Sequence, residues 1–383
     1  MNSKQRMIAA LDGKTPDRLP VTTHHVMEYF LNKYMGGMDT QAFFDHFKFD
    51  PITWTLPYKA DESKGHYLVK KDDDSWEDAS VQSNDWRIEE EDIPGQEYET
   101  TRYSIVTPKG TLTALMQSND QTSWLVEHLI KQKSDIDLIT EYAPNFFCDV
   151  NAVNKVAADF GDRGLVRGHI PCFDIYGQPG CWQDFCCLIG TEEAILATYD
   201  DPQWVHTVLG VLQKRKQAFI ESLAGANYDV LELGGGSAST TVISPKIFEQ
   251  FVAPYDAPLI EKAHEAGQRI AYHTCGGMMP ILEQIAAMKP DAMETFTPVA
   301  MGADVDLAEA KRRIGDDVCI IGGFDQFHFF DGCTPEETRA EVRRCFDAAG
   351  GNGGYILCPS DHFFDADPAL LEAFVDEAQK CVY

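Results

Sequence analysis

Short apolar runs alternate with helical patterns in the second half of this 383-residue chain, and this alternation restricts the fold more than any other feature. The runs at 228–233, 292–296, 318–321 and 355–357 indicate buried strands, and helical patterns follow them. A strict β–α order with short linkers requires parallel strands and right-handed crossovers. The chain is therefore predicted to be an α/β protein, a (β/α)8 TIM barrel, with a doubly wound sheet as the alternative.

The region 52–120 has a different pattern. Short alternating runs at 67–69 and 103–106 are separated by acidic, turn-rich segments, among them residues 72–74. Residues 107–113 predict a hairpin, because a Pro-Lys-Gly turn lies between residues that favour strands. We interpret 52–120 as an antiparallel, lid-like insertion within a single barrel domain of residues 1–383. A helix is predicted at 125–131, where the regular barrel pattern begins.

The composition excludes several function classes. A net charge of −29 argues against binding nucleic acid or an anionic membrane through a basic face. No apolar run approaches the roughly 20 residues that a membrane helix needs, and no signal-type segment follows Met1. The eleven cysteines are scattered without disulfide spacing, which is typical of reduced thiols. We therefore expect a cytoplasmic protein with no nucleic-acid or membrane partner.

Soft metal ligands stand at the ends of two predicted strands. His273 and Cys275 lie two residues apart after an apolar run, so both side chains can point to one side. Cys358 ends a second such run, far along the chain. In a barrel the C-terminal strand ends meet at one face, where the chemistry takes place. Three ligands with an open position are typical of catalytic zinc, so we predict a Zn²⁺ site at His273, Cys275 and Cys358.

Two carboxylates also fall at predicted strand ends. Glu232 is the better candidate for a fourth zinc ligand, and Glu294 is the second; with His273 they are the predicted catalytic residues. Each glutamate has an alternative role as a strand-end residue bonded to a neighbouring loop. His24 and His25 follow the first predicted strand, but adjacent side chains point different ways from most backbones. They make a weak metal pair, although either could line the active site.

Aromatic side chains follow several strand ends and could form apolar walls for a flat ring. Tyr176 and His362 could in addition hydrogen-bond a phenol. The alternative for each phenylalanine is that it packs a loop against the barrel. The predicted substrate-binding residues are Tyr176, Phe324, Phe327, His362 and Phe363.

Several motifs are spread over the chain: Arg6 with 10–13 and 17–21, then 244–255, 273–276, 304–307, 322–325 and 353–358. Together they resemble the uroporphyrinogen decarboxylase superfamily, whose fold is a (β/α)8 barrel. The likeness covers most of the chain, and within the superfamily it is closer to the corrinoid-linked zinc methyltransferases, because of the His-X-Cys and the distant Cys. Decarboxylases of this superfamily carry an arginine-rich motif after the first strand, and residues 22–30 contain no arginine.

The resemblance implies methyl transfer between a small donor and a corrinoid (cobalamin) carried by a partner protein. We expect a zinc-dependent methyltransferase that moves a methyl group to Co(I), with a methoxylated aromatic as the favoured donor. The alternatives are a methylcobamide:thiol methyltransferase of the coenzyme M type, a uroporphyrinogen decarboxylase and a zinc-stabilised binding barrel. The chain contains no corrinoid-binding motif, so the corrinoid would come with its carrier. A homodimer remains open.

Overall fold

The computed structural model describes residues 1–70 and 79–383, so the acidic segment 72–74 lies outside the described residues. The strands of these ranges, in chain order, are β1 (Ile52–Trp54), β2 (Tyr58–Lys59), β3 (Tyr67–Val69), β4 (Ser80–Gln82), β5 (Arg87–Asp92), β6 (Glu99–Thr107), β7 (Gly110–Ser118), β8 (Ser123–Glu127), β9 (Phe147–Cys148), β10 (Leu165–His169), β11 (Val230–Gly234), β12 (Ile270–His273), β13 (Ala292–Thr295), β14 (Cys319–Phe324) and β15 (Tyr355–Pro359).

The helices of the same ranges are α1 (Ser3–Leu11), α2 (Glu28–Tyr34), α3 (Thr40–Phe47), α4 (Asp135–Tyr142), α5 (Val150–Phe160), α6 (Cys181–Ile189), α7 (Thr191–Asp200), α8 (Pro202–Glu221), α9 (Pro245–Ile247), α10 (Ala253–Glu265), α11 (Leu282–Ala287), α12 (Leu307–Ile314), α13 (Gln326–Phe329), α14 (Pro335–Ala349) and α15 (Pro368–Lys380). A π-helical turn, Phe248–Val252, joins α9 to α10. None of the helices in the described ranges is long and apolar enough to cross a membrane.

Seven parallel strands form the main sheet, in the order β1-β10-β11-β12-β13-β14-β15. The segment at Val21 lies between the two outer strands. Val21 makes a parallel bridge with Leu357 of β15, and its carbonyl accepts a 2.8 Å hydrogen bond from the backbone N–H of Asp50, just before β1. This segment takes the eighth strand position, so the sheet curls into the predicted (β/α)8 barrel. The α/β fold class is confirmed.

A buried carboxylate holds this closing segment in place. Asp50 is fully buried and accepts the backbone N–H of Val21 at 3.0 Å. It also pairs with two guanidinium groups, Arg6 at 2.7 Å and Arg18 at 3.0 Å. A buried carboxylate needs such partners, because burial without them leaves a charge stripped of water. The first 50 residues are thereby tied to the start of the barrel.

An antiparallel sheet, β5-β6-β7-β8, forms within the predicted insertion. The predicted hairpin is present: Thr107 pairs with Gly110, and the Thr107 hydroxyl donates to the Gly110 carbonyl at 2.7 Å. Residues 52–54, which the sequence analysis assigned to the insertion, are barrel strand β1. The helix predicted at 125–131 is wrong, because Ser123–Glu127 is a strand paired with β7 and residues 128–131 are not helical. Pairing with a neighbouring strand overrides local helix preference here.

Candidate metal centre at the mouth of the barrel

Three consecutive barrel strands bring an imidazole and two carboxylates together. Glu232 lies on β11, His273 ends β12 and Glu294 lies on β13. His273 and Glu294 are direct neighbours in the strand register. Aligned residues on neighbouring strands point to the same face of a sheet, so these side chains share the barrel interior. All three lie towards the C-terminal ends of their strands, where barrel enzymes carry out their chemistry.

A fourth side chain, His24, joins them from the loop after Val21. Its Nε2 lies 3.2 Å from Oε2 of Glu232, and its Nδ1 lies 3.5 Å from Oε2 of Glu294. His273 Nδ1 is 3.5 Å from Glu294 and 3.9 Å from Glu232. One ligand atom from each residue lies within 4.8 Å of every other, which is a geometry that can hold a metal ion. We call His24, Glu232, His273 and Glu294 the inner group.

A buried arginine sits directly beneath the inner group. Arg167 of β10 donates to both carboxylate oxygens of Glu294, at 2.9 and 3.2 Å. Its side chain is 3% exposed and also lies 3.5 Å from Glu232. The guanidinium is stacked over the ring of Trp54, 4.6 Å from the ring centroid. A bidentate arginine contact fixes the plane of a carboxylate, so Arg167 orients Glu294.

These charges determine how the carboxylates titrate. Burial alone would raise the pKa of Glu232, but the positive charges of His273 and His24 outweigh it and hold that pKa below its ordinary value. Burial is likewise the largest effect on Glu294, and Arg167 and His24 overcome it, so its pKa is also low. Both carboxylates are therefore ionised at neutral pH and offer oxygen ligands to a cation.

The pKa values of the two imidazoles shift upwards, opposite to those of the carboxylates. Burial would lower the pKa of His24, but Glu294 and Glu232 raise it above its usual value. The pKa of His273 is raised in the same way, against burial, by the charges of Cys275 and Glu232. Without a metal, the neighbouring carboxylates favour the protonated form of both rings. A divalent cation would displace the protons, because a ligating imidazole must be neutral.

The structure brings some of the predicted zinc ligands together. His273 Nε2 lies 3.1 Å from the sulfur of Cys275, and Glu232 belongs to the inner group with His273. Cys358 is buried on β15, where the backbone N–H of His24 contacts its sulfur and Glu294 lies nearby. Burial, followed by the negative charge of Glu294, raises the pKa of Cys358 to about 12. Neither cysteine belongs to the inner group, so their ligation stays a prediction.

Two buried ligand atoms of the inner group lack hydrogen-bond partners within the described ranges, namely Oε2 of Glu232 and Nδ1 of His273. Charged neighbours lie close to both, but without the alignment of a hydrogen bond. Buried polar atoms are normally satisfied, and such exceptions need an explanation. Two imidazoles and two carboxylates, with a thiol in contact with one ring, are donors that zinc accepts. The residues present fit a bound zinc ion.

A second histidine group lies at the outer rim of the mouth. His24, His25 and His362 also place one nitrogen each within 4.8 Å of one another; we call them the outer group. His25 stacks on Trp54 with ring centroids 4.6 Å apart, and the Trp54 indole N–H donates to the His24 carbonyl at 3.0 Å. Burial and the nearby His24 charge lower the pKa of His362 to about 4.

A cavity of about 700 Å³ opens beside the outer group, lined by His24, His25, Met27, Phe44, Trp54 and His362 among others. A second cavity, of about 420 Å³, also borders His25 and Trp54 and is lined in part by Tyr176. Cavities of this size accept small organic molecules. Of the inner group, His24 lines the first of these cavities.

The other predicted substrate residues lie in different surroundings. The Tyr176 hydroxyl donates to the carbonyl of Ser123 at 3.2 Å. Phe324 and Phe363 are buried and pack on Phe330, while Phe327 is 70% exposed. These contacts match the loop-packing alternative at least as well as substrate binding, and a role for the phenylalanines in binding substrate stays a prediction.

Sequence reasoning missed Arg167 and gave little weight to His24. The signal for Arg167 was present, because a charged residue inside the apolar run 165–168 is unusual unless it has a buried partner. His24 depends on the path of the loop at 22–27, which no local pattern determines. The side chains of adjacent histidines normally point in different directions, but here both His24 and His25 lie at the mouth of the barrel.

The barrel and its buried group of imidazoles and carboxylates define a TIM-barrel protein with a candidate metal centre at the strand C-termini. Residues 175–381 match the family model of uroporphyrinogen decarboxylase (URO-D). Because this match spans more than half of the chain, the protein belongs to the uroporphyrinogen decarboxylase family. The family part of the predicted resemblance is thereby confirmed.

Individual relatives are more distant. Uroporphyrinogen decarboxylase of Bordetella parapertussis is 27% identical over 229 residues, which cover 56% of this chain and 60% of that protein. The enzyme of Aliivibrio salmonicida is 26% identical, over 65% of this chain and 69% of its own length. The chain thus spans about 60% of the length of the first curated relatives it matches. A methyltransferase structure from Methanosarcina mazei matches with a TM-score of 0.62 and 14% identity, covering 99% of both chains. That likeness supports the fold.

Proposed function

We propose that the protein is a zinc-dependent methyltransferase that moves a methyl group from a small donor to the Co(I) corrinoid of a partner protein. The inner group carries this proposal, because it gathers ionised carboxylates and imidazoles around buried, unsatisfied ligand atoms at the barrel mouth. The His-X-Cys motif adds a thiol in contact with His273. A thiol and imidazoles suit a borderline-soft ion such as zinc better than magnesium or calcium.

His273, Cys275, Cys358 and Glu232 would hold the zinc ion. When bound, zinc supplies a Lewis acid that withdraws charge from the heteroatom attached to the methyl group. In the overall reaction the bond between heteroatom and carbon breaks, and a carbon–cobalt bond forms with the electron pair of Co(I). The heteroatom keeps the pair of the broken bond and takes a proton from water.

The remaining residues of the site position these groups. Arg167 fixes the plane of Glu294, and Glu294 in turn contacts His273 and His24. The positive charge of Arg167 also balances one carboxylate, so the inner group does not hold two uncompensated negative charges. We assign Glu294 and Arg167 as positioning residues for the predicted ligands.

The donor is best placed in the cavity beside His24. Trp54 and His25 form a flat stacked wall there, and Met27 and Phe44 add apolar surface. A flat, apolar donor such as a methoxylated aromatic matches these walls. Tyr176 lines the neighbouring cavity and is a candidate hydrogen-bond partner for a phenol oxygen.

Decarboxylation is the second candidate, because the curated relatives are uroporphyrinogen decarboxylases. The local charges disfavour it. The inner group presents two carboxylates, and the guanidinium of Arg167 is already bound to Glu294. A substrate carrying several carboxylates would meet this site, a chain of net charge −29 and no arginine in residues 22–30. The reverse transfer, from a methylcobamide to a thiol, stays an alternative within the same chemistry.

The test is an assay of the zinc-loaded protein with a reduced corrinoid protein and a panel of methoxylated aromatics. We expect the Co(I) absorbance to convert to that of methyl-Co(III) with at least one donor. His273→Ala should leave a folded protein that has lost zinc and at least about 100-fold of its activity, because a first ligand is removed. The matched control is His264→Ala, since His264 also contacts a carboxylate, Asp291, but outside the mouth.

Several outcomes would reject the proposal. Loss of carboxyl groups from uroporphyrinogen without methyl transfer would favour the decarboxylase. Methylation of a thiol by methylcobamide, without demethylation of any donor, would show that methyl transfer runs from the corrinoid to the thiol. Unfolding of His273→Ala, with no activity of the wild type on any donor, would indicate a zinc-stabilised binding barrel.

A further inference from the structure

Two histidines at the barrel mouth are not metal ligands in the function proposed above. His25 and His362 belong to the outer group, which shares His24 with the inner group. In a tetrahedral zinc site, with metal–nitrogen bonds of about 2.1 Å, two nitrogens lie about 3.4 Å apart. The nitrogens of the outer group lie within 4.8 Å of one another, which is not far from this spacing. Each ring needs to move by less than about 1 Å.

The backbone of the outer group is held in place. Trp54 donates its indole N–H to the His24 carbonyl at 3.0 Å, and the Thr23 hydroxyl donates to the His25 carbonyl at 3.2 Å. The Asp361 carboxylate lies 3.6 Å from Nδ1 of His362. Metal-binding histidines are commonly oriented by such neighbouring oxygen atoms. These contacts hold the loop that carries His24 and His25.

The two groups differ in access to solvent. His24, His25 and His362 line the large cavity, and the His362 side chain is 38% exposed. The glutamates of the inner group and His273 lie deeper, with side chains 3 to 12% exposed. A cation that arrives through this cavity meets the outer group first. His24 is the residue common to both groups, and both of its nitrogens face inner carboxylates.

We propose that the outer group is a loading site, which captures a divalent cation at the cavity and passes it through His24 to the inner group. A buried site strips a cation of water, and this is unfavourable unless ligands replace the water one at a time. Three imidazoles at the entrance supply such ligands. The proposal rests on the inner group holding a metal, as the proposed function does, but not on methyl transfer.

The test is the rate of zinc uptake by the metal-free full chain, followed by stopped flow with a chromophoric chelator that competes for zinc. We expect His25→Ala and His362→Ala to take up zinc about 10-fold or more slowly than the wild type, because each loses an entrance ligand. Both variants should still bind the same number of zinc ions at equilibrium as the wild type. The matched control, His46→Ala, removes an exposed histidine of α3 and should take up zinc at the wild-type rate.

A second variant tests the outer group directly. In Glu232→Gln/His273→Ala/Cys275→Ser the predicted zinc site keeps only Cys358 of its four ligands, and the outer group should still bind one zinc ion weakly. Adding His362→Ala should abolish that binding. Equal uptake rates in wild type and outer variants would overturn the loading site and leave the methyltransferase proposal intact. A wild type that binds no zinc would overturn both.

Discussion

At the scale of single residues, Arg167 determines the character of the site. Its side chain is buried beneath two carboxylates, and it contacts both. A charge in such a position is stabilised by its partners, and the partners are stabilised by it. Removing the arginine would leave Glu294 and Glu232 with no fixed positive charge, since His24 and His273 can lose their protons.

We predict that Arg167→Met destabilises the metal-free protein by about 3–5 kcal/mol, the range for breaking a buried ion pair. Urea unfolding in the presence of a chelator measures this loss. The double variant Arg167→Met/Glu294→Gln should recover part of it, because the unpaired carboxylate is then gone. Arg163→Met is the control: Arg163 pairs with Asp45 at the surface, where such pairs contribute about 0–1 kcal/mol. Equal losses for Arg167 and Arg163 would contradict the role of burial.

The two cysteines of the predicted zinc site differ in their surroundings. Cys275 touches His273, whereas Cys358 is buried beside Glu294 and His24. A cobalt ion bound by thiolate shows an intense sulfur-to-metal charge-transfer absorption, because thiolate sulfur is a soft ligand. The cobalt-substituted protein therefore distinguishes thiolate ligands from imidazoles and carboxylates.

We predict that this absorption is present in the wild type and is reduced by Cys275→Ser and by Cys358→Ser. Both changes should also weaken zinc binding by at least about 10-fold, as measured by competition with a chelator. Cys333→Ser is the control, since Cys333 contacts Thr338, away from the mouth. An unchanged spectrum in Cys358→Ser would remove this residue from the ligand set and favour His24 or Glu294 in its place.

At the scale of elements, a buried ion pair joins α8 to α6, and its lysine also contacts the loop before α6. Lys216 of α8 donates to Asp184 at 2.6 Å and to the Pro171 carbonyl at 2.7 Å. Asp184 in turn accepts the backbone N–H groups of Phe173 and Gln178. The loop that lines the second cavity is therefore held in part by this carboxylate and its lysine.

We predict that Lys216→Met destabilises the protein by about 3–5 kcal/mol, because Asp184 is left buried without its cation. Backbone amides in residues 171–180 should also exchange hydrogen faster, which mass spectrometry can follow. Lys214→Met is the matched control, on the same helix but exposed. If both variants exchange at the wild-type rate in this loop, the loop is held by other contacts.

Another buried carboxylate links α10 to strand β12. Asp256 accepts the Tyr272 hydroxyl at 2.9 Å and the Cys181 backbone N–H at 3.2 Å. Burial outweighs these contacts and raises the pKa of Asp256 to about 6. The folded state therefore binds this proton more tightly than the unfolded state, whose carboxyl has its ordinary pKa.

The sign of the pH dependence follows from this difference. The contribution of Asp256 to stability is fully present below pH about 4 and is lost as pH rises to about 6, a change of about 3 kcal/mol. We predict that the free energy of unfolding of Asp256→Asn, relative to the wild type, rises over this range. Urea midpoints at pH 4, 5, 6 and 7 measure it, with Asp137→Asn on α4 as an exposed control. A difference that does not vary with pH would contradict the shifted pKa.

The elements of the second half were predictable because each strand is a short apolar run bounded by glycine or by a helix start. Glu232, His273 and Glu294 could be placed near one another for the same reason, since strand ends meet at one face of a barrel. Strand β8 was not predictable, because its residues pair with β7 only in the folded chain. The position of His24 depends on a loop, and on Trp54 from another strand.

At the scale of the whole molecule, we propose that residues 1–383 unfold as one domain. The antiparallel sheet lies in sequence between barrel strands β1 and β10, and the segment at Val21 is held by both β15 and Asp50. Far-UV circular dichroism and tryptophan fluorescence should therefore give the same unfolding midpoint. Two separate transitions would assign the inserted sheet to a domain of its own.

We predict that Asp50→Ala destabilises the whole barrel by about 3–5 kcal/mol, because Arg6 and Arg18 lose a buried partner. Chemical denaturation followed by both signals should show one transition at a lower midpoint. Asp45→Ala, which removes a surface partner of Arg163, serves for comparison. A loss confined to the fluorescence signal would place Asp50 outside the cooperative unit.

Closure of the barrel between Val21 and Leu357 also has a consequence during synthesis on the ribosome. The first strand position leaves the exit tunnel long before its partner on β15 has been translated. At about 5–20 residues per second, this interval lasts roughly 20 to 70 seconds. For most of it the nascent chain carries His24 without His273, and Glu294 follows later still. The candidate metal centre can therefore form only late in translation.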